Sequence, residues 1–97
     1  MNTYQIDTEI GLTGMFADQN GVATDPDVVE LYVKTPDGVV TVYSGSQLIR
    51  TGPGVYTKTL LTNQSGRWVY KWQGQGALNA TSPDVFFNVA PSKILSN

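Results

Sequence analysis

Between Ser65 and Gln73 the chain reads Ser-Gly-Arg-Trp-Val-Tyr-Lys-Trp-Gln. Trp68, Tyr70 and Trp72 alternate with Arg67, Val69, Lys71 and Gln73. A period of two puts the three rings on one face of a strand; at helical period they would point around the axis. Both tryptophans of the chain lie here. In a chain of 97 residues three large aromatics on one face are a large share of the apolar area that folding can bury. The fold is therefore expected to be built around this strand. Trp68 and Tyr70 are expected in the core, and Trp72, at the far end, is expected to be partly exposed.

The length suits one domain over residues 1–97, with a core over about 4–89 and a tail over 90–97. Strong helix formers are scarce, while Thr, Gly and Val are frequent, which favours strands and turns. The net charge is −2 and no Lys/Arg cluster exists, so nucleic acid is not an expected partner. The chain has no cysteine and no histidine. That removes disulfides, thiol and Ser–His nucleophiles, and the usual zinc sites. The start, Met1 to Asp7, lacks a basic stretch followed by an apolar run and does not read as a signal peptide. No apolar run approaches the roughly 18 residues of a membrane span, so no membrane partner is expected.

Tyr4, Ile6, Thr8, Ile10, Leu12, Gly14 and Phe16 occupy alternate positions. This alternation exceeds a typical strand of about 5–6 residues. It predicts two strands or one kinked strand, broken near Asp7-Thr8 or Gly11 and able to begin in one sheet and finish in another. Residues 17–27 form a loop. Val28 to Lys34 is a strand with Val29, Leu31 and Val33 inward, and Tyr32 faces away. Thr35-Pro36-Asp37-Gly38 is a hairpin turn, with Pro and Gly at the corners that need them. Val39 to Tyr43 is the return strand, Leu48 to Arg50 a short one, and Thr51-Gly52-Pro53-Gly54 another turn. Val55 to Leu61 follows, with Tyr56 and Leu60 inward. Thr62 to Gly66 turns into the aromatic strand, which Gly74-Gln75-Gly76 ends. After a polar loop over 77–83, Asp84 to Val89 is the last strand, with Phe87 inward. Turns every eight to twelve residues and no helical pattern predict an all-β fold, an immunoglobulin-like antiparallel β-sandwich of seven to eight strands. The expected core includes Leu12, Phe16, Leu31, Tyr56, Trp68, Tyr70 and Phe87. Lys34, Lys58 and Lys71 would protect edges if they lie on edge strands.

Chemistry-bearing groups are few. Asp25-Pro26-Asp27 is the one close carboxylate pair. It could contribute to a calcium site, or be a Pro-fixed turn with two solvated carboxylates. No cofactor, catalytic residue or metal site is expected. The Asn-X-Ser/Thr sequences at Asn63 and Asn79 carry no weight without secretion. Tyr32 and Tyr43 could form a sugar-stacking pair, giving a carbohydrate- or cell-surface-binding module as the alternative function. Tyr4, Tyr32, Ile94 and Leu95 are the candidate interface residues, the last two as an arm that docks on a neighbour.

The runs Gly21-Val22-Ala23-Thr24-Asp25-Pro26 and Thr35-Pro36-Asp37-Gly38, followed by Gly54-Val55-Tyr56, Ser65 to Tyr70 and Phe87-Asn88-Val89, resemble the small immunoglobulin-like virion proteins of tailed bacteriophages. The resemblance covers about residues 8–89 and is one of turns and aromatics. It implies a non-enzymatic structural protein of the virion, made in the host cytoplasm. Its partners would be other virion proteins of capsid, neck or tail, met in multiple copies in a symmetric assembly. The residues it carries over are structural: Asp25-Pro26 and Pro36-Asp37-Gly38 for turns; Tyr56, Trp68, Tyr70 and Phe87 for the core.

Overall fold

The computed structural model describes residues 2–91. The aromatic stretch is the longest strand and lies inside the larger of two sheets. In chain order the strands are β1 (Asn2–Gln5), β2 (Glu9–Met15), β3 (Val28–Lys34), β4 (Val40–Ser44), β5 (Ile49–Gly52), β6 (Val55–Leu61), β7 (Gly66–Gln75), β8 (Ala80–Thr81) and β9 (Val85–Ala90). The large sheet has the order β1-β9-β7-β3-β4, with β8 pairing β7. The small sheet is β2-β6-β5. The two pack as a sandwich, as the alternation predicts, with nine strands among the described residues where seven or eight are expected. One pairing departs from the expected antiparallel pattern: β1 runs parallel to β9, from Asn2↔Phe87 to Gln5↔Ala90.

The long N-terminal alternation is two strands in different sheets. The break falls at residues 6–8, where Asp7 has φ 68°, a left-handed conformation uncommon outside glycine. Thr62, which the sequence reading placed in a turn, holds this crossing. It is fully buried, and its Oγ1 donates to the Thr8 carbonyl at 2.8 Å and accepts the Thr8 N–H at 3.2 Å. Its backbone accepts the Asp7 N–H at 2.8 Å and donates to the Thr8 carbonyl at 3.0 Å. The β3–β4 turn closes with Thr35 N–H to Val39 O and Gly38 N–H to Thr35 O, and Gly38 supplies the positive φ of 90°.

Ile10, Leu12, Phe16, Leu31, Val33, Trp68, Trp72, Phe87 and Val89 are among the buried core residues. Each fully buried aliphatic or Phe side chain is worth roughly 1.5–3 kcal/mol. Phe87 collects three rings: Trp68 stacks on it at 5.7 Å, Tyr4 meets it edge-on at 5.7 Å, and Tyr70 tilts against it at 6.1 Å. At the other end Trp72, 4% exposed, covers Gly14 of the facing sheet. It is thus buried, not partly exposed, because Gly14 leaves a flat bed for the indole. Tyr56 and Tyr70, expected in the core, are half-buried and pack against its margin. Burial raises the Tyr70 hydroxyl pKa; Tyr56 turns its hydroxyl outward to Asp25. The aromatic strand continues through Gly74 to Gln75 instead of ending there, and part of the expected polar loop forms β8. Lys34, Lys58 and Lys71 lie on β3, β6 and β7, which are interior strands and not edges.

Candidate functional site

Alternation that sends Leu31, Val33, Trp68, Trp72 and Phe87 inward sends their neighbours to the outer face of the large sheet. The registers align two rows there. One runs Val40–Lys34–Val69–Phe86, the other Val42–Tyr32–Lys71. Val40, Val42 and Phe86 are 55%, 41% and 37% exposed. A solvated sheet face normally carries polar residues, so these apolar groups are an excess. Cations lie among them. The Lys71 ammonium sits 5.4 Å from the centre of the Tyr32 ring and the Arg67 guanidinium 4.0 Å from that of Phe86. Such contacts are worth about 0.5–1 kcal/mol at exposed sites. Lys34, Arg67 and Lys71 are three of the six basic residues of the chain. The Tyr32 hydroxyl donates to Glu30 at 3.1 Å, and this bond, with some desolvation, raises its pKa. A shallow depression of about 200 Å³ lies between Tyr32, Val40, Val69 and Lys71, with Asp84 at its rim.

Of the candidate interface residues, Tyr32 lies on this face. Tyr4 does not: it is half-buried against Phe87 and belongs to the packing of the core. Ile94 and Leu95 lie outside the described residues. The Tyr32–Tyr43 pair does not form a platform. Tyr43 is opposite Leu31, and Tyr32 is opposite Val42, so the two rings leave opposite faces of the sheet. Tyr43 lies instead in a groove of about 390 Å³ between the sheets, with the Lys58 ammonium 4.9 Å from its ring centre. Thr41, Leu60, Asn63 and Gln64 also line that groove. Thr35 and Asp37 line it as well, the Thr35 hydroxyl donating to the Asp37 carboxylate within the β3–β4 turn.

The carboxylate pair is divided between two structural tasks. Asp25 accepts Arg50 Nε at 3.1 Å and Nη2 at 2.8 Å, the Gly54 N–H at 2.8 Å and the Tyr56 hydroxyl at 3.0 Å. The Arg50 hydrogen bonds, then that of Gly54, hold its pKa far below the ordinary carboxylate range. Asp27 accepts the Ala77 N–H at 3.0 Å. The two side chains therefore serve different loops, and no group of three or more acidic residues among the described residues could hold a metal ion. The sequence reading missed Arg50 as the partner of Asp25; the two are 25 positions apart. The outer-face patch was legible only in part. Alternation exposes Tyr32, but which strands stand beside it is a matter of sheet order. No helix among the described residues is long and apolar enough to cross a membrane.

No family model matches the chain, and no curated protein matches it. Among solved structures the chain is similar to the crystal structure of the Lin-41 filamin domain, with a TM-score of 0.63 and 11% identity. The similarity covers 92% of this chain and 83% of that one. At this identity the likeness shows a shared fold: the chain is an immunoglobulin-like β-sandwich.

Proposed function

We propose that the chain is a non-enzymatic binding module that works through protein–protein contact, as a structural component of a tailed-phage virion. The observation that carries the binding role is the outer face of the large sheet. There Val40, Val42, Val69, Tyr32 and Phe86 stand exposed or half-exposed between Lys34, Arg67 and Lys71. Aromatic residues and Arg are enriched at protein interfaces. The virion role rests on the resemblance of the turns and aromatics. Repetition on a symmetric particle would turn a modest contact into stable attachment.

The test is mass spectrometry of purified particles of the phage that encodes the chain. The expected result is a fixed copy number relative to the major capsid protein. It should fall when Phe86→Ser and Val69→Ser are combined, with the isolated variant still folded. Absence of the chain from purified particles would refute the virion role. Binding of the isolated protein on a glycan array would favour the carbohydrate-binding alternative.

A further inference from the structure

Among the described residues five strands are paired on one side only: β1, β4 and the two-residue β8 in the large sheet, β2 and β5 in the small one. An edge offers unpaired N–H and C=O groups to any other strand, and folded proteins usually blunt it. β1 is blunted by its length of four residues. β5 carries Arg50 and an irregular register between Arg50 and Gly52. β2 carries Glu9 and two glycines. β4 reads Val-Thr-Val-Tyr-Ser, with no charge, no proline and no bulge.

The hydrogen-bond pattern says which groups of β4 are open. The Thr35 N–H bonds to the Val39 carbonyl, so residue 39 points its backbone at β3. In an antiparallel ladder this alternates, so Thr41 and Tyr43 also point inward to β3, while Val40, Val42 and Ser44 point outward. The outward N–H of Ser44 is already taken by Gln47 Oε1 at 3.1 Å. The open stretch is therefore Val40 to Val42.

From this we infer that β4 pairs antiparallel with β4 of a second copy about a twofold axis at Thr41, joining the two large sheets into one. In that register Val40 faces Val42 of the second copy and Val42 faces its Val40. Each of these two pairs exchanges two hydrogen bonds, and together they use the outward groups of both residues. The capped Ser44 falls outside the pairing at both ends. Thr41 faces Thr41 as a non-hydrogen-bonded pair, the closer kind, and Thr–Thr is a favourable cross-strand pair. The valines form one cluster on the outer face. A second copy suits this edge because the open stretch is symmetric about Thr41, so the same three residues supply both halves of the ladder. The inference goes beyond the virion role and does not depend on it, since it concerns the isolated protein.

The experiment is solution mass by light scattering across a concentration series of the whole chain. The wild type is expected to rise toward twice its monomer mass. Thr41→Lys and Thr41→Glu should each abolish the rise by setting like charges opposite each other, and an equimolar mixture of the two should restore it. Because the chain has no cysteine, Thr41→Cys should cross-link on oxidation, since facing Cα atoms of about 4.5 Å suit a disulfide. Val42→Cys, which faces Val40, should not. A mass that stays at one chain throughout would overturn the inference. So would a dimer that survives both charge variants, or one that Phe86→Ser abolishes while Thr41→Lys leaves it intact.

Discussion

Adding one methyl group at Gly14 should cost this protein far more than adding one at Gly11, three residues earlier on the same strand. A Cβ at Gly14 would lie 2.5, 2.7 and 2.8 Å from three atoms of the Trp72 indole. Carbon atoms in contact prefer about 3.5–4.0 Å, so the ring must retreat by roughly 1 Å. It has little room, because it is buried in an interior packed at crystal-like density. The strand cannot retreat easily either, since Gly14 is paired with Tyr56 in the β2–β6 ladder. Overpacking of this kind costs about 1–3 kcal/mol, and the clash with three atoms of the five-membered ring of the indole, the two fusion carbons among them, places it near the upper end. At roughly 4–8 °C per kcal/mol for a domain of this size, Gly14→Ala should melt about 12–24 °C below the wild type. A Cβ at Gly11 would meet nothing within 4 Å. Gly11→Ala should therefore be neutral or stabilising by up to about 1 kcal/mol, through the reduced freedom of the unfolded chain. Urea unfolding of the two variants, with the same m-value, is the assay. If they come within about 0.5 kcal/mol of each other, Trp72 does not pack on Gly14 as described.

Three other outcomes are expected. Thr62→Val keeps the shape of the side chain but leaves the Thr8 N–H and carbonyl without their side-chain partner; equilibrium unfolding should show a loss of about 1–3 kcal/mol. Leu31→Ala, at a fully buried position in the central layer, should cost about 3–5 kcal/mol, a large part of the total stability of such a domain, seen as loss of the cooperative unfolding transition at moderate urea. Asp25 has a folded-state pKa depressed below its ordinary 3.8, so its contribution is fully present above that value and is lost as the pH falls toward the folded one. The stability gap between wild type and Asp25→Asn should be constant from neutral pH down to about pH 5, then shrink with further acidification; a gap that is unchanged at pH 2 would contradict the role given to Arg50 and Gly54.

Much of this fold could be read directly because alternation reports burial one strand at a time. Val29, Leu31 and Val33, or Trp68 and Phe87, announce their face without any knowledge of their neighbours. The break near Asp7 was legible for a related reason: seven alternating positions are too long for one flat strand. Pairing partners were not legible. Nothing local in Asn2 to Gln5 says that they lie parallel to β9, or that Val40 and Val42 end a sheet. In sequence Gly74 looks like a terminator, although its absent side chain serves packing: a Cβ there would lie 2.6 Å from Pro26 and 3.0 Å from Phe16. β8 was missed because two residues leave no period to detect; the Ser82 hydroxyl that accepts the Trp72 N–H helps to hold that segment against β7. The candidate surface shows the same division. Exposure of Tyr32 follows from its own strand, but its rows with Val42, Lys71, Val69 and Phe86 follow from sheet order alone.

The parallel pairing of β1 with β9 also fixes how the domain bears tension. A pull that draws residue 2 one way and residue 91 the other slides the two strands along each other. The ladder from Asn2↔Phe87 to Gln5↔Ala90, extended by the Ile6 N–H to the Ala90 carbonyl at 2.9 Å, is then loaded all at once and not peeled bond by bond. Beyond it, the Thr62 contacts fasten the start of β2 to the small sheet. Forced unfolding is governed by the height of the barrier to the first rupture, and shear of a whole ladder raises that barrier above what unzipping a hairpin would need. Along the line joining its ends, the sandwich is a clamp.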